Sequence, residues 1–386
     1  MDAVTTPPTP VNEPTRGYAP GSPERAGLEA RVKELSGEQV ELTSTIGGAQ
    51  RMAGGERYEV VQPHRHAAVL GTSAQATRED VRDAIDAALA AGPGWRALSF
   101  DDRAAVLLRA AELLAGPWRD TITAATILGQ SKSSYQAEID AAAEFIDFLR
   151  FNVHFGRRIL AEQPQSSPGV WNRLDHRPLE GFVLAITPFN FTAIAGNLPL
   201  APALMGNTVV WKPSPTQQVA AHHTMRMLEA AGLPPGVINL VTGDGQAVSE
   251  VALADRHLAG IHFTGSTATF QKIWHTVGGN LGSYAGYPRL VGETGGKDFV
   301  IAHPSADPAA LATGLVRGAF EYQGQKCSAA SRAYLPRSLW DGGLRDRLAQ
   351  TTETIEYGDV TDLSVFGGAV IDRRSYDRLA GVLGRL

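Results

Sequence analysis

Before residue 181, apolar residues recur mainly at the three- and four-residue spacing that is typical of amphipathic helices. The segment "TREDVRDAIDAALAAGPGW" begins with Thr77, a helix-capping residue, and carries acids in its first turn. We expect this helix to end at Gly92-Pro93, because glycine followed by proline is a stop signal. The same signals predict a second helix from Ser99 to Gly116-Pro117 and a longer third helix over residues 135–155.

From residue 181 onward, short β-branched runs alternate with helical segments. The predicted strands lie at 182–187, 207–211, 237–241, 259–263, 289–293, 297–302 and 331–335. The predicted helices lie around 195–205, 216–231, 246–254, 267–277, 308–322 and 337–355. Buried strands in alternation with helices favour an α/β fold with a doubly wound sheet, whose ligands bind at the carboxyl ends of the strands.

Composition excludes several classes of protein. The formal charge of −5 comes from 35 basic and 40 acidic residues mixed along the chain, so no basic face for nucleic acid is predicted. No run reaches the ~18 apolar residues of a membrane span. The N-terminus shows no secretory signal, which favours a cytoplasmic location. The histidines at 64–66 and 222–223 lack partners at ligand spacing, so we expect no metal site.

The chain contains a single cysteine, Cys327, in the stretch "YQGQKCSAASR". One cysteine excludes a disulfide framework. A lone thiol is more often inert packing than a nucleophile, so chemistry at Cys327 depends on what the other segments supply.

Four predicted strand ends carry residues that could take part in chemistry at Cys327. "AITPFNF" presents Asn190, either an oxyanion donor or a turn residue. "VVWKPSPTQ" ends a strand at Lys212, either a ribose or phosphate contact or a lysine that reaches solvent. "IHFTGSTATF" places small residues before a helix, where backbone amides can meet a phosphate. "LVGETGGKDFVIA" holds Glu293, either a solvated loop carboxylate or a general base whose pKa is raised by partial burial. Together they fit acyl chemistry on an aldehyde.

At this point the sequence resembles the NAD-dependent aldehyde dehydrogenase superfamily, and most closely its 1-pyrroline-5-carboxylate dehydrogenase (L-glutamate-5-semialdehyde dehydrogenase) subgroup. The resemblance covers nearly all of the chain. It rests on "ITPFNFTAIAGNLPLAPALMGNTVVWKPS", "FTGSTATF", "YPRLVGETGGKDF", "GQKCSAASR" and "GQSKSSYQAEIDAAAEFIDFLRFN".

The resemblance implies catalytic roles for three residues: Cys327 as the nucleophile, Asn190 as an oxyanion donor together with the Cys327 N–H, and Glu293 as the base. It implies a cofactor site for NAD made of Ile186, Phe189, Lys212, Gly265, Ser266, Thr267, Ala268 and Thr269. It implies that Phe191 and Ser328 contact the substrate. The expected reaction oxidises L-glutamate 5-semialdehyde to L-glutamate in proline degradation, and the intact protein is expected to be a homo-oligomer.

Composition, which is rich in Pro, Gly, Ser and Thr over residues 1–25, and the resemblance together indicate a division of the chain. We expect an N-terminal arm and lead-in over residues 1–56, of which 1–25 form an extended arm, and a Rossmann-like NAD-binding domain with N-terminal helices over 57–292. Residues 293–386 are expected to form an incomplete α/β catalytic domain, because family members continue further and contain an "E-x-F-G-P" segment that this sequence lacks.

A second departure and two alternative functions accompany this interpretation. Pro215 stands where many relatives carry a glutamate that binds both ribose hydroxyls, so that carboxylate gives no argument for NAD over NADP. One alternative is another semialdehyde dehydrogenase, for example one for succinate semialdehyde, although "GQKC" and the long third helix argue against it. The other is a catalytically impaired fragment that only binds nucleotide or a partner.

Overall fold

The computed structural model describes residues 8–385 of the chain. Within these residues the strands are β1 (Val40–Glu41), β2 (Ser44–Ile46), β3 (Ala49–Arg51), β4 (Arg57–Gln62), β5 (Arg65–Ala74), β6 (Phe182–Ile186), β7 (Thr208–Lys212), β8 (Ile238–Leu240), β9 (Leu258–Thr264), β10 (Arg289–Glu293), β11 (Phe299–Ile301) and β12 (Arg332–Tyr334). All seven strands predicted after residue 181 are confirmed, with ends within two residues.

The helices of the same residues are α1 (Pro23–Gly37), α2 (Arg78–Ala97), α3 (Phe100–Ala115), α4 (Arg119–Gln130), α5 (Ser134–Ala137), α6 (Glu144–Ala161), α7 (Thr192–Leu204), α8 (Gln218–Ala230), α9 (Gly245–Ala252), α10 (Thr267–Gly279), α11 (Pro308–Phe320), α12 (Arg337–Leu339), α13 (Arg345–Glu353) and α14 (Arg373–Leu383). None of these helices is both long and apolar enough to span a membrane.

The central sheet has seven strands in the order β10-β9-β6-β7-β8-β2-β3. The strands from β10 to β8 run parallel, while β2 pairs antiparallel with β8 and with β3. Strand β6 points Val183 and Ala185 into one hydrophobic core and Phe182 and Leu184 into another. Because both faces of the sheet are covered, the predicted doubly wound α/β fold is confirmed.

Strands β1, β5 and β4 form a three-stranded sheet, and β11 pairs in parallel with β12 in a separate two-stranded sheet. The domain division at residues 56 and 292 stays a prediction. Strands β2 and β3 lie on the lead-in side of residue 56 although they pair within the large sheet, and β10 ends at Glu293, directly at the second boundary.

The predicted end of the first long helix is wrong, because α2 continues through Pro93 to Ala97. Proline removes one helical hydrogen bond, but the next turn buries Trp95, whose Nε1 donates to the Ala203 carbonyl at 2.7 Å. Burial of the indole therefore outweighs the local stop signal. The second helix agrees with the prediction, since Ser99 accepts a hydrogen bond from the Asp102 N–H and α3 ends before Gly116.

The third predicted helix is longer than expected and interrupted. It begins with α5, widens into a π-helical turn over residues 138–143, and continues as α6 to Ala161. The wide turn directs Glu138 and Asp140 into the interior, where they pair with Arg119 and Lys132. The predicted helix over 337–355 is likewise interrupted at Gly342 and Gly343, whose backbone angles are not helical.

The N-terminal arm packs on the body of this chain. Residues 8–22 contain no helix or strand, and α1 begins at Pro23, so the prediction of an extended arm to residue 25 is close. Glu13 pairs with Arg119 and Arg150, and Tyr18 donates to Glu138 at 2.6 Å. Residues 1–7 of the predicted arm lie outside the described residues.

Candidate active site

The carboxyl ends of four parallel strands meet at one edge of the central sheet. Ile186 at the end of β6 is in register with Lys212 at the end of β7 and with Phe263 in β9. Glu293 at the end of β10 is in register with Thr264. The loops that leave these strands are those in which the sequence placed its candidate residues, so the sheet brings them together.

Lys212 is almost fully buried and does not reach into solvent. Its Nζ donates to the carbonyl oxygens of Pro213 at 2.7 Å and Gly243 at 2.9 Å. Burial lowers the pKa of Lys212 to about 8, and Asp244 acts in the opposite direction. A β-carbon on Gly245 would lie 3.2 Å from Lys212 Cε, so glycine at this position leaves room for the lysine side chain.

The segment from Gly265 to Thr269 opens helix α10. Ser266 caps the helix by accepting a hydrogen bond from the Thr269 N–H at 3.1 Å, and residues 266–269 are exposed. The N–H groups of Thr267 and Ala268, at the first two positions of the helix, have no partner within it and can meet a phosphate. Half-buried Ile186 and Phe189 lie on the neighbouring loop. An exposed helix N-terminus and an apolar wall at the same edge of the sheet fit a dinucleotide.

Asn190 reaches from the β6 loop to the segment that carries the cysteine. Its Nδ2 donates to the Gln325 carbonyl at 2.9 Å, two residues before Cys327. A primary amide has two N–H donors, so the second stays available to a ligand oxygen. Asn190 therefore links a buried strand end to the thiol segment.

Cys327 is half-buried, and its backbone lies directly against the loop that follows Glu293. A β-carbon on Gly296 would lie 1.6 Å from the Cys327 carbonyl oxygen, so only glycine allows this approach. Burial raises the pKa of the Cys327 thiol, and the carboxylates of Glu293 and Asp298 raise it further. The N–H groups of Ser328 and Cys327 act in the opposite direction by hydrogen bonding.

Glu293 is exposed, which agrees with the solvated loop carboxylate and not with the partly buried one. Strand β10 is the edge strand of the large sheet, and four of its five residues are exposed. Its position is nevertheless fixed, since the Glu293 carbonyl accepts a hydrogen bond from the Gly265 N–H at 3.1 Å. That contact joins the carboxylate loop to the segment at the start of α10.

Of the two predicted substrate residues, Phe191 is buried and Ser328 is exposed. Beneath Phe191 lies a buried charged cluster that the sequence did not single out: Lys132, Asp140 and Lys326. The available signal was the charged residues inside "SKSSYQAEIDAAAEF". Asp140 was interpreted as part of the predicted third helix, and Lys132 precedes the predicted start of that helix at residue 135. Among residues 8–385 no group of three or more His, Cys, Asp or Glu side chains is arranged to hold a metal ion.

The chain is similar in sequence to several known proteins. The model of the aldehyde dehydrogenase family matches residues 51–385. The delta-1-pyrroline-5-carboxylate dehydrogenase of Agaricus bisporus is 45% identical over 373 residues, which cover 96% of this chain and 68% of the relative. The mitochondrial delta-1-pyrroline-5-carboxylate dehydrogenase of Mus musculus is also 45% identical, over 96% of this chain and 66% of the relative. The chain therefore spans about two thirds of the length of these relatives.

A solved structure agrees closely. The Delta-pyrroline-5-carboxylate dehydrogenase from Mycobacterium tuberculosis bound with NAD superposes with a TM-score of 0.97 at 63% sequence identity, over 100% of this chain and 72% of that chain. The 1-pyrroline-5-carboxylate dehydrogenase from Thermus with bound NAD gives a TM-score of 0.92 at 28% identity, over 99% of this chain and 73% of that chain.

Proposed function

Because this chain belongs to the aldehyde dehydrogenase family, we propose that it oxidises L-glutamate 5-semialdehyde, formed from 1-pyrroline-5-carboxylate, to L-glutamate with NAD. The observation that carries the proposal is the meeting of three groups at one sheet edge: the Asn190 amide, the Cys327 thiol and the Glu293 loop. The names of the similar proteins support the substrate, and the NAD in two similar structures supports the cofactor.

The first step would form a bond between Cys327 Sγ and the aldehyde carbon. The Cys327 thiol would first lose its proton to solvent. The thiolate would then attack, and the negative charge that develops on the aldehyde oxygen would be met by the Asn190 Nδ2–H and the Cys327 N–H. The hydride that leaves this carbon would need an acceptor, which bound NAD would supply. The carbon is then held as a thioester on Cys327.

The second step would release the acid. Glu293 takes a proton from water, the resulting hydroxide attacks the thioester carbon, and the carbon–sulfur bond breaks to return the Cys327 thiolate. An exposed carboxylate beside the loop gives water direct access to this position. Phe191 and Ser328 would contact the substrate chain on the opposite side of the thiol.

The cofactor would be held by the residues that the sequence assigned to it. The N-terminus of α10, from Gly265 to Thr269, would meet the pyrophosphate, and Lys212 would meet the adenosine ribose. Ile186 and Phe189 would line the cleft. The homo-oligomeric assembly and the cytoplasmic location expected from the sequence remain proposals, and several relatives are named as mitochondrial.

The test measures NADH formation at 340 nm by the purified protein with glutamate semialdehyde and, separately, with succinate semialdehyde. We expect preference for glutamate semialdehyde, and a loss of at least ~1000-fold in Cys327→Ala because the thioester route has no nucleophile. Thr313→Ala, an exposed change on α11, is the control.

Three results would contradict parts of the proposal. Preference for succinate semialdehyde would overturn the substrate. Unchanged turnover in Cys327→Ala, or after alkylation of the single cysteine, would overturn the mechanism. Absence of NADH formation with either aldehyde would favour the impaired fragment, which the exposure of strands β10 to β12 makes the specific alternative.

A further inference from the structure

Lys132 is a fully buried lysine with no part in the proposed reaction. It lies two residues past the C-terminal end of α4, and its Nζ donates to Asp140 Oδ2 at 2.6 Å. Asp140, in the π-helical turn before α6, is almost fully buried as well. Replacing such a buried ion pair with uncharged groups is often neutral for stability. A stabilising role therefore does not by itself account for the pair.

The ammonium of Lys132 lies against two aromatic rings that belong to the two sides of the candidate site. Its Nζ is 4.4 Å from the centroid of the Phe191 ring and 4.4 Å from that of the Tyr322 ring. Phe191 directly follows Asn190, and Tyr322 begins the segment that leads to Cys327. Attraction between a cation and the face of an aromatic ring is strongest where water is excluded. One cation thus holds both segments.

The segment at Tyr322 needs such support because its backbone is strained. Tyr322, Gln323 and Gly324 all have positive φ, at 49°, 56° and 69°. Two consecutive non-glycine residues with positive φ are strained and persist only when the surroundings hold them. The end of α4 does so, since the Tyr322 hydroxyl donates to the Gln130 carbonyl at 2.9 Å. The Gln323 amide donates to the Ser131 carbonyl at 3.3 Å.

Asp140 has a second cationic neighbour, Lys326, so the two lysines share one carboxylate. Lys326 Nζ lies 3.5 Å from Asp140 and 3.3 Å from Glu321, and it directly precedes Cys327. Loss of the Lys132 ammonium would leave Asp140 with Lys326 alone. The chain at Cys327 would then be drawn toward the interior.

We propose that Lys132 is a positioning residue: paired with Asp140 and seated between the Phe191 and Tyr322 rings, it keeps the Asn190 amide and the Cys327 thiol in a fixed relation. The inference rests on the proposed function for its catalytic consequence. Its structural content, the placement of the thiol, can be measured without any turnover.

The test compares the unsubstituted protein with the double variant Lys132→Met/Asp140→Asn. The double variant removes one positive and one negative charge, so the net charge around the thiol is conserved. It also avoids leaving a buried carboxylate unpaired, which could prevent folding in Lys132→Met alone. The first readout is the rate at which iodoacetamide alkylates Cys327 as a function of pH, which is site-specific because the chain has one cysteine.

We expect a loosened segment to expose the thiol. The pH midpoint of alkylation should fall toward that of an ordinary cysteine, because burial is the largest factor that raises the pKa of Cys327. Turnover should fall as well, with kcat about 10- to 100-fold lower and the KM for NAD within about 2-fold, since misplacement of reacting groups affects the chemical step. A purely structural role would lower thermal stability without this split.

The matched control is Arg103→Met, which removes another buried cation. Arg103 donates to the carbonyl of Leu204, at the end of α7 opposite to Asn190. We expect it to lower stability and leave the alkylation profile unchanged. An alkylation profile of the double variant equal to that of the unsubstituted protein would overturn the proposal. Failure of the proposed function would show separately, as absence of NADH formation by the unsubstituted protein, and the alkylation comparison does not depend on that activity.

Discussion

Strands β6 and β7 differ sharply in environment from strands β11 and β12, although short apolar runs predict all four. The residues of β6 and β7 are buried almost throughout, with Trp211 and Phe182 fully enclosed. In the two-stranded sheet, Phe299 is 60% exposed, Ile301 70% and Tyr334 51%. An apolar run therefore predicts that a strand forms, but it does not predict what covers the strand.

The candidate site lies where these two environments meet. Asn190 and Lys212 stand at the ends of covered strands, while Glu293 and Cys327 belong to the exposed part of the chain. The two sides are joined by short, specific contacts: Asn190 with Gln325, Gly265 with Glu293, and Tyr322 with Gln130. The placement of the thiol thus depends on contacts with the covered side.

The largest expected effect tests the difference in burial directly. Trp211→Ala should lower the free energy of unfolding by about 3–5 kcal/mol, because it leaves a cavity in a closed core. It also removes the donor to Thr187, whose Oγ1 accepts from the indole at 3.0 Å. Phe299→Ala should change it by no more than about 0.5 kcal/mol, because the ring is already in water. Urea unfolding followed by circular dichroism measures both.

An equal cost for the two substitutions would break the comparison. It would mean that Phe299 is covered in solution, by another copy or by another part of the protein, and that the exposed strands are an interface. Sedimentation of the same two variants would then identify whether self-association supplies the cover.

Sequence could predict the strands because burial on both faces leaves near-continuous apolar runs, as in "FVLAI" and "TVVW". It could not predict the continuation of α2 through Pro93, which depends on where Trp95 is buried. It missed α1 and α4 altogether. These helices were hidden by mixed composition, and their packing against each other is a tertiary property.

The candidate site follows the same rule. The sequence located Asn190, Lys212 and Glu293 because strand ends in a parallel sheet converge at one edge. It missed Lys132 because a periodic pattern cannot reveal a π-helical turn, and that turn is what directs Asp140 inward. The exposure of Glu293 could not be predicted either, since it depends on β10 having no neighbour on its outer side among residues 8–385.

A second effect, which develops gradually with pH, should appear in the covered region on acidification. Burial lowers the pKa of His222 to about 4 and that of His223 to about 3, and neighbouring charge adds to both shifts. Between these values and the ordinary ~6.5, the unfolded chain binds more protons than the folded chain. The free energy of unfolding should therefore fall as the pH drops from about 6.5 to 4, by up to ~1 kcal/mol per pH unit for each histidine.

The double variant His222→Gln/His223→Gln should flatten this slope, as measured by urea unfolding at several pH values. His303→Gln, an exposed histidine after β11, is the matched control from the other region and should leave the slope unchanged. If the slope of the double variant equals that of the unsubstituted protein, the acid sensitivity does not originate in the covered core.

The smallest expected effect concerns the contact between Glu293 and Cys327, near the boundary of the two environments. The Glu293 carboxylate raises the pKa of Cys327, although less than burial does. Glu293→Gln removes that charge and leaves the burial, so the pH midpoint of alkylation at Cys327 should fall by less than about one pH unit and stay above that of an ordinary thiol. Asp298→Asn should shift it in the same direction by less, because Asp298 acts more weakly on the thiol. The same Glu293 variant should form one equivalent of NADH and then stall, since the thioester forms but its hydrolysis lacks a base. If the midpoint of Glu293→Gln does not move, the carboxylate does not lie close to the thiol in solution, and the exposed edge strand is not held against the Cys327 segment as its contact through Gly296 requires.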